Sequence, residues 1–231
     1  YATTKVSSST PVEDQICFYT SLNDDSTLSI AGYNSECGTD VVIPDSLPLT
    51  SIESLDTEAC INKLVATGDL DSTEASEICK IDSDTLMLAL NVYNLQSVAK
   101  YKKSDQSYAV TSIGEQAFFD KSLSSLIISN GVISIGESSF EFNNLKQIDI
   151  PNSVMEIKNS SFNTNSIKTV TIGSGINNIE SNAFGGHSES GYGPNEIESV
   201  TINTTKDKVT LGNSAFNWVS GKSDADIKWA E

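Results

Sequence analysis

A 22-residue period runs through the second half of the chain and constrains it more than any other feature. Three consecutive blocks, 110–131, 132–153 and 154–175, align without a gap. Val110, Val132 and Val154 open them. Ile113, Ile135 and Ile157 follow, then Phe118, Phe140 and Phe162. Three more apolar columns complete each block: Leu123, Leu145 and Ile167; Leu126, Ile148 and Val170; Ile128, Ile150 and Ile172. A fourth copy starts at Ile176 with Ile179 and Phe184. The loop GGHSESGYGPN (185–195) interrupts it before Ile197, Val200 and Ile202. A fifth, imperfect copy carries Val209, Leu211 and Phe216 and ends near Ile227 and Trp229. Apolar positions repeating at this interval mark stacked units, each too small to bury its own apolar face.

Within a block the terminal alternation, Ile148 and Ile150 in LKQIDIP (145–151), predicts a short strand with one buried face. Pro151 lacks an N–H and ends the pairing. The Val-x-x-Ile segment supplies a second short extended piece, and Phe sits in a turn. Stacking predicts ladders of Phe, Ile and Leu with parallel strands. The stretch VISIGESSF (132–140), taken alone, suggests a catalytic or phosphate-binding Gly/Ser turn. In register, Gly136 has Gly114, Lys158 and Glu180 as counterparts. The slot therefore demands neither glycine nor nucleophile, and the stretch is a structural rung.

The composite pattern I-P-x-S-V-x-x-I-x-x-x-[AS]-F-x-x-x-x-L-x-x-I-x-I is carried by VTSIGEQAF (110–118), IDIPNSV (148–154), VMEIKNSSF (154–162) and IESNAF (179–184). Over 110–231 it resembles the leucine-rich repeats of the BspA-like (Treponema pallidum) type. Departures include Ser129 and Gly173 in place of Pro. The resemblance implies an α/β solenoid with short parallel strands. It also implies a bacterial surface protein engaged in adhesion or protein–protein binding, its partner a host matrix component or another surface protein.

STLSIAGYNSECGTDVVIPDSLPLTSI (26–52) is similar to an opening coil of the same kind. VVIP (41–44) aligns with IDIP (148–151), and LTSI (49–52) echoes VTSI (110–113). A segment of helical pattern then intervenes. Asp56 or Thr57 caps a first helix that Gly68 stops, and Ser72 with Glu74 begins a second. Ser83 or Asp84 caps a third, TLMLALNVYNLQSVAKY (85–101), whose basic end (Lys100, Lys102, Lys103) suits the helix dipole. The organisation is a linker (1–15), an N-terminal capping coil (16–55), a small helical insertion (56–108) and the repeat array (109–231).

Four cysteines, Cys17, Cys37, Cys60 and Cys79, all fall in the first 80 residues. No CxxC is present and the chain has one His, so zinc sites are disfavoured. Two disulfides are expected, which places the protein in an oxidising compartment. Three connectivities are open. Cys17–Cys37 with Cys60–Cys79 is favoured because each would staple one local unit; four free thiols are the alternative. The net charge is −17 and all 14 basic residues are Lys. Nucleic acid and anionic lipid are poor partners for such a chain. No apolar run approaches the ~20 residues of a membrane-spanning helix.

Chemistry has little foothold. His187, in the Gly/Ser loop with Tyr192, lacks a held acid and nucleophile, and both residues read better as loop contacts to a partner. SVAK (97–100) lacks the companion elements of a serine acyl-transfer site. DLDSTEASEICK (69–80) has Glu74 and Lys80 where a calcium loop needs Gly and Glu. No cofactor is expected. The outward strand positions are the candidate recognition face: Ser125, Ile127, Gln147, Asp149, Thr169, Thr171, Ser199 and Thr201, continued by Asp226 and Lys228. The reading is a non-catalytic, extracellular or cell-surface recognition module. The rival is a structural subunit or exposed head of a larger filament or wall-anchored protein.

Overall fold

The computed structural model describes residues 16–80, 86–186 and 194–231. The expected linker (1–15) and the expected cap at Ser83 or Asp84 lie outside the described residues. In chain order, β1 (Phe18–Leu22) pairs antiparallel with β2 (Leu28–Tyr33), and β3 (Asp40–Ile43) and β4 (Ser46–Leu55) follow. Then come α1 (Thr57–Ala66), α2 (Ser72–Ile78), α3 (Leu86–Val92) and β5 (Ala99–Ile113). The repeats supply β6 (Ser125–Ile128), β7 (Ser134–Ile135), β8 (Gln147–Ile150), β9 (Glu156–Ile157), β10 (Thr169–Ile172), β11 (Asn178–Ile179), β12 (Ser199–Ile202), β13 (Thr210–Leu211) and β14 (Lys228–Trp229).

From the second copy on, each repeat contributes one strand to each of two parallel ladders. In one, β7, β9, β11 and β13 extend the end of β5, with Ser112, Ser134, Glu156, Asn178 and Thr210 in register. In the other, β8, β10, β12 and β14 run side by side. Between the ladders lies a column of rings. Phe118, Phe140, Phe162, Phe184 and Phe216 stack with centroids 4.8, 5.0, 5.1 and 5.2 Å apart. Fully buried Val, Ile and Leu columns flank it. Trp218 covers the Phe216 end at 5.8 Å. Tyr33 covers the Phe118 end at 5.2 Å, in the place of a further Phe.

A second column is polar. Asn143 Oδ1 accepts from the N–H groups of Lys121 and Leu123, and its amide donates to the carbonyls of Phe118 and Phe140. Asn165 and Asn195 repeat the arrangement one and two coils on, and Asn217 donates to the Asn195 carbonyl. The turns that hold the Phe side chains expose inward-facing backbone groups, and this column satisfies them where water does not reach.

Four sequence-based expectations change. The helix expected to run to Tyr101 stops at Val92, because Asn94 takes a left-handed φ of 51°. Lys100, Lys102 and Lys103 lie on β5, which pairs antiparallel with β4. LTSI (49–52) belongs to that antiparallel pair and is no counterpart of VTSI; Leu28 and Ile30 on β2 take that place, opposite Val110 and Ile113. Asp71, not Ser72, caps α2, in a box closed by Glu74. Finally, Gly136 is not free to vary: a Cβ there would lie 2.6 Å from the Ile113 carbonyl. Asp56 does cap α1, and Gly68 follows it at φ 85°.

Candidate ligand-binding surface

The parallel pairing that stacks the coils also fixes which side chains share a face, since alternate residues of a strand point to opposite sides. Ile148, Val170 and Val200 align inward, as do Ile150, Ile172 and Ile202. The intervening residues line up outside: Gln147, Thr169 and Ser199 in one row, Asp149, Thr171 and Thr201 in the next. The first three of these strand positions are exposed at Gln147, Asp149 and Thr169, while Thr171, Ser199 and Thr201 are half-buried. Lys228 continues the second row opposite Thr201. Asp226 does not; it sits in a short helical turn and caps the Ser223 N–H.

Ser125 and Ile127 occupy the same outward positions on β6, but this strand pairs with β3 instead of joining β8. Among the described residues no ladder of hydrogen bonds links β6 to β8. A groove of about 500 Å³ opens there, lined by Leu126, Ile127, Ile128, Ile150 and Pro151, with Asp45 and Asp149 at its margins. Ile127 is 62% exposed and its cross-strand partner Val42 is 61% exposed. They are the two most exposed large apolar side chains described. β3 was not among the candidate face positions, because it lies 85 residues before β6 and its pairing leaves no local trace.

Charge on this face is mostly acidic. Asp40 accepts from the hydroxyls of Ser125 and Ser124 at 2.8 and 2.9 Å, and those bonds hold its carboxyl below the usual range. Lys168 is tied to Glu198 at 2.8 Å. On the other flank Lys158 bridges Glu156 and Glu180. The other candidate contacts, His187 and Tyr192, lie outside the described residues, so nothing places them near the strand face.

The cysteines pair as Cys17–Cys37 and Cys60–Cys79. The first ties the start of β1 to the turn after β2; the second joins α1 to the end of α2. Behind them lies a residue the sequence reading passed over. Lys121 is buried, and its ammonium donates to the Asn91 carbonyl and the Asn94 side chain, both at 2.6 Å. Burial pushes its pKa down to about 8. Its position, one period before Asn143 and two before Asn165, was the available signal.

No helix among the described residues is long and apolar enough to cross a membrane. No curated protein and no solved structure matches the chain. A model of the BspA type leucine rich repeat region matches residues 91–191 in six copies. That span starts ahead of the first copy read from the sequence and stops inside the fourth. The parallel ladders and the ring column agree with this match: residues 91–191 carry leucine-rich repeats of the BspA type.

Proposed function

We propose that this chain is a non-catalytic recognition module, exposed outside the cell, that binds a protein partner on the outer face of its strands. In this reading residues 109–231 form a short solenoid, 16–55 a capping coil, and 56–108 an insertion packed beside its N-terminal end. Two disulfides fit an oxidising, extracellular setting. Leucine-rich repeat arrays offer their strand face as an extended binding surface.

One observation carries the proposal: Ile127 stands exposed in the lining of the groove between β6 and β8, with Val42 exposed next to it on the paired strand β3. Apolar side chains in that setting are ones a partner would cover. Asp40, Asp45 and Asp149 around them favour a partner with Lys or Arg flanking an apolar anchor. Adhesion to a host matrix component is the specific form proposed. The test is a pull-down against purified matrix proteins with wild type, Ile127→Ser, and the pair Asp149→Lys with Thr171→Lys. Retention by the wild type and loss in both variants is expected. A partner held equally by all three moves the site off this face.

A further inference from the structure

The turn that leaves β6 carries the one Asn-Gly pair in the chain, Asn130-Gly131. A side-chain amide is most labile before glycine, because a residue without Cβ leaves its backbone nitrogen open to meet the amide carbon. Whether a fold permits that reaction depends on how firmly it holds the turn, and the other coils supply the comparison. Ile43, Ile128, Ile150 and Ile172 end equivalent strands. Two residues on, the corresponding positions hold Asp45, Asn130, Asn152 and Ser174.

Asn152 is held. Its Oδ1 accepts from the Ser174 N–H at 2.9 Å, and Pro151 stiffens the chain before it. After it, the Ser153 hydroxyl ties the turn to the Val132 carbonyl at 2.7 Å. Asn130 has none of these restraints. Its side chain is exposed and makes no hydrogen bond among the described residues. Ser129 stands where the proline would, and Gly131 has no hydroxyl to give. The Gly131 N–H donates to no backbone carbonyl, so the attacking nitrogen is unengaged. One long bond closes the turn, from the Val132 N–H to the Ser129 carbonyl at 3.4 Å. Gly131 is nonetheless confined: a Cβ there would lie 3.0 Å from the Val110 carbonyl. The fold therefore retains the labile pair and leaves its amide loose.

We propose that Asn130 is a site of spontaneous deamidation that adds a carboxylate to the groove between β6 and β8. The Gly131 nitrogen gives its proton to hydroxide and bonds to Asn130 Cγ. The bond from Cγ to the side-chain nitrogen breaks, and ammonia leaves with a proton from water. Water then opens the cyclic imide at either carbonyl, giving aspartate or isoaspartate. Asn130 lines the groove together with Asp45 and Asp149, and Asp45 Oδ1 is 3.9 Å from the place of a Gly131 Cβ. The new charge joins those two and strengthens the preference for a cationic partner. That consequence rests on the strand-face reading; the modification does not.

The test is incubation of the folded chain at neutral and mildly alkaline pH, then digestion and mass spectrometry with electron-transfer fragmentation, which separates isoaspartate from aspartate. The peptide holding Asn130 should convert ahead of every other asparagine, Asn152 included, and faster at the higher pH. Asn130→Gln should remove the first acidic species seen on ion exchange. Conversion of another asparagine first, or of Asn130 only after unfolding in urea, would overturn the proposal. The charge is tested separately with the peptide Lys-Leu-Lys, followed by amide shifts. Asn130→Asp should bind it about threefold more tightly than wild type. Equal binding, or none, would count against the strand-face reading and leave the modification standing.

Discussion

Replacing Asn165 by Ala should destabilise the chain by about 3 kcal/mol, and the figure follows from what each neighbour loses. The Leu145 N–H donates to Asn165 Oδ1 at 3.1 Å and would be left buried without an acceptor, at roughly 1–3 kcal/mol. The Phe140 and Phe162 carbonyls also lose a donor, but neither is orphaned. Asn143 still serves the first at 3.0 Å and Asn195 the second at 2.8 Å. Those two losses are worth about 0.5–1.5 kcal/mol each. Asn217→Ala removes one bond, to the Asn195 carbonyl, and should cost about 1 kcal/mol.

Asn165→Asp sharpens the test. The carboxylate still accepts from Leu145, but it faces two carbonyls to which the amide donated. Its folded pKa should therefore lie above the unfolded ~3.9. A raised pKa leaves the variant closest to wild type below the unfolded value, and the deficit grows as pH rises through the folded value. Urea unfolding followed by far-ultraviolet circular dichroism, at pH 4 and pH 7, reads both effects as midpoint shifts. An Asn165→Ala variant within ~0.5 kcal/mol of wild type would refute the reasoning. So would an Asp variant whose deficit is the same at both pH values.

Three further outcomes are expected. The double variant Cys60→Ala with Cys79→Ala opens a 19-residue separation and should cost about 3 kcal/mol locally, seen as faster amide exchange in α1 and α2 with Val170 and Ile172 unchanged. Equal acceleration in the repeats would show that the two regions unfold together. Lys121, with its folded pKa lowered from 10.5 to about 8, binds its proton more weakly in the folded chain, so unfolding free energy should rise between about pH 8 and 10.5, by at most ~3 kcal/mol. Comparison with Lys121→Met isolates that slope; an identical slope in the variant would rule the lysine out. Gly136→Ala should cost about 1–3 kcal/mol, since the added carbon meets fixed backbone of the preceding turn, whereas Lys158→Gly in the equivalent slot removes only the two surface ion pairs to Glu156 and Glu180 and adds chain freedom. Similar melting temperatures for the two variants would contradict that account.

The apolar columns were legible because burial forces the same residue types into the same phase. Val132, Ile135 and Phe140 can be read from spacing alone, and each is fully buried. Asn143 and Asn165 keep the same phase, but Asn near a turn also reads as a solvated loop residue, and sequence does not distinguish the two. Tyr33 was missed because it follows Leu28 by five residues where Phe140 follows Val132 by eight. Lys100–Lys103 read as a helix end because a basic run there is favourable; pairing with β4, about 50 residues earlier, overrode the local preference. From β8 to β12 the alternation alone placed the outward residues in rows, because neighbours there are one or two coils apart. Its most exposed apolar pair, Val42 with Ile127, comes from a pairing across 85 residues and could not be read from either strand.

The junction between the helical segment and the coils explains why the asparagine column changes residue at one end. Asn143 and Asn165 each serve the coil before them, and an amide spans that distance. Lys121 faces α3 instead of another coil, and its longer side chain reaches the last turn of that helix at the Asn91 carbonyl. A cation at a helix C-terminus is favourable, which offsets part of the cost of burying it. Asn91 answers from the other side: its side chain accepts from the Tyr33 N–H at 3.0 Å and donates to the Gln116 and Ala117 carbonyls at 2.8 and 3.1 Å. It packs so closely on Gly32 that a Cβ there would lie 2.8 Å from its amide. The seam is thus specified by directional bonds laid beside the end of the ring column. An apolar seam would tolerate sliding of the helices over the first coil, whereas these bonds fix one position.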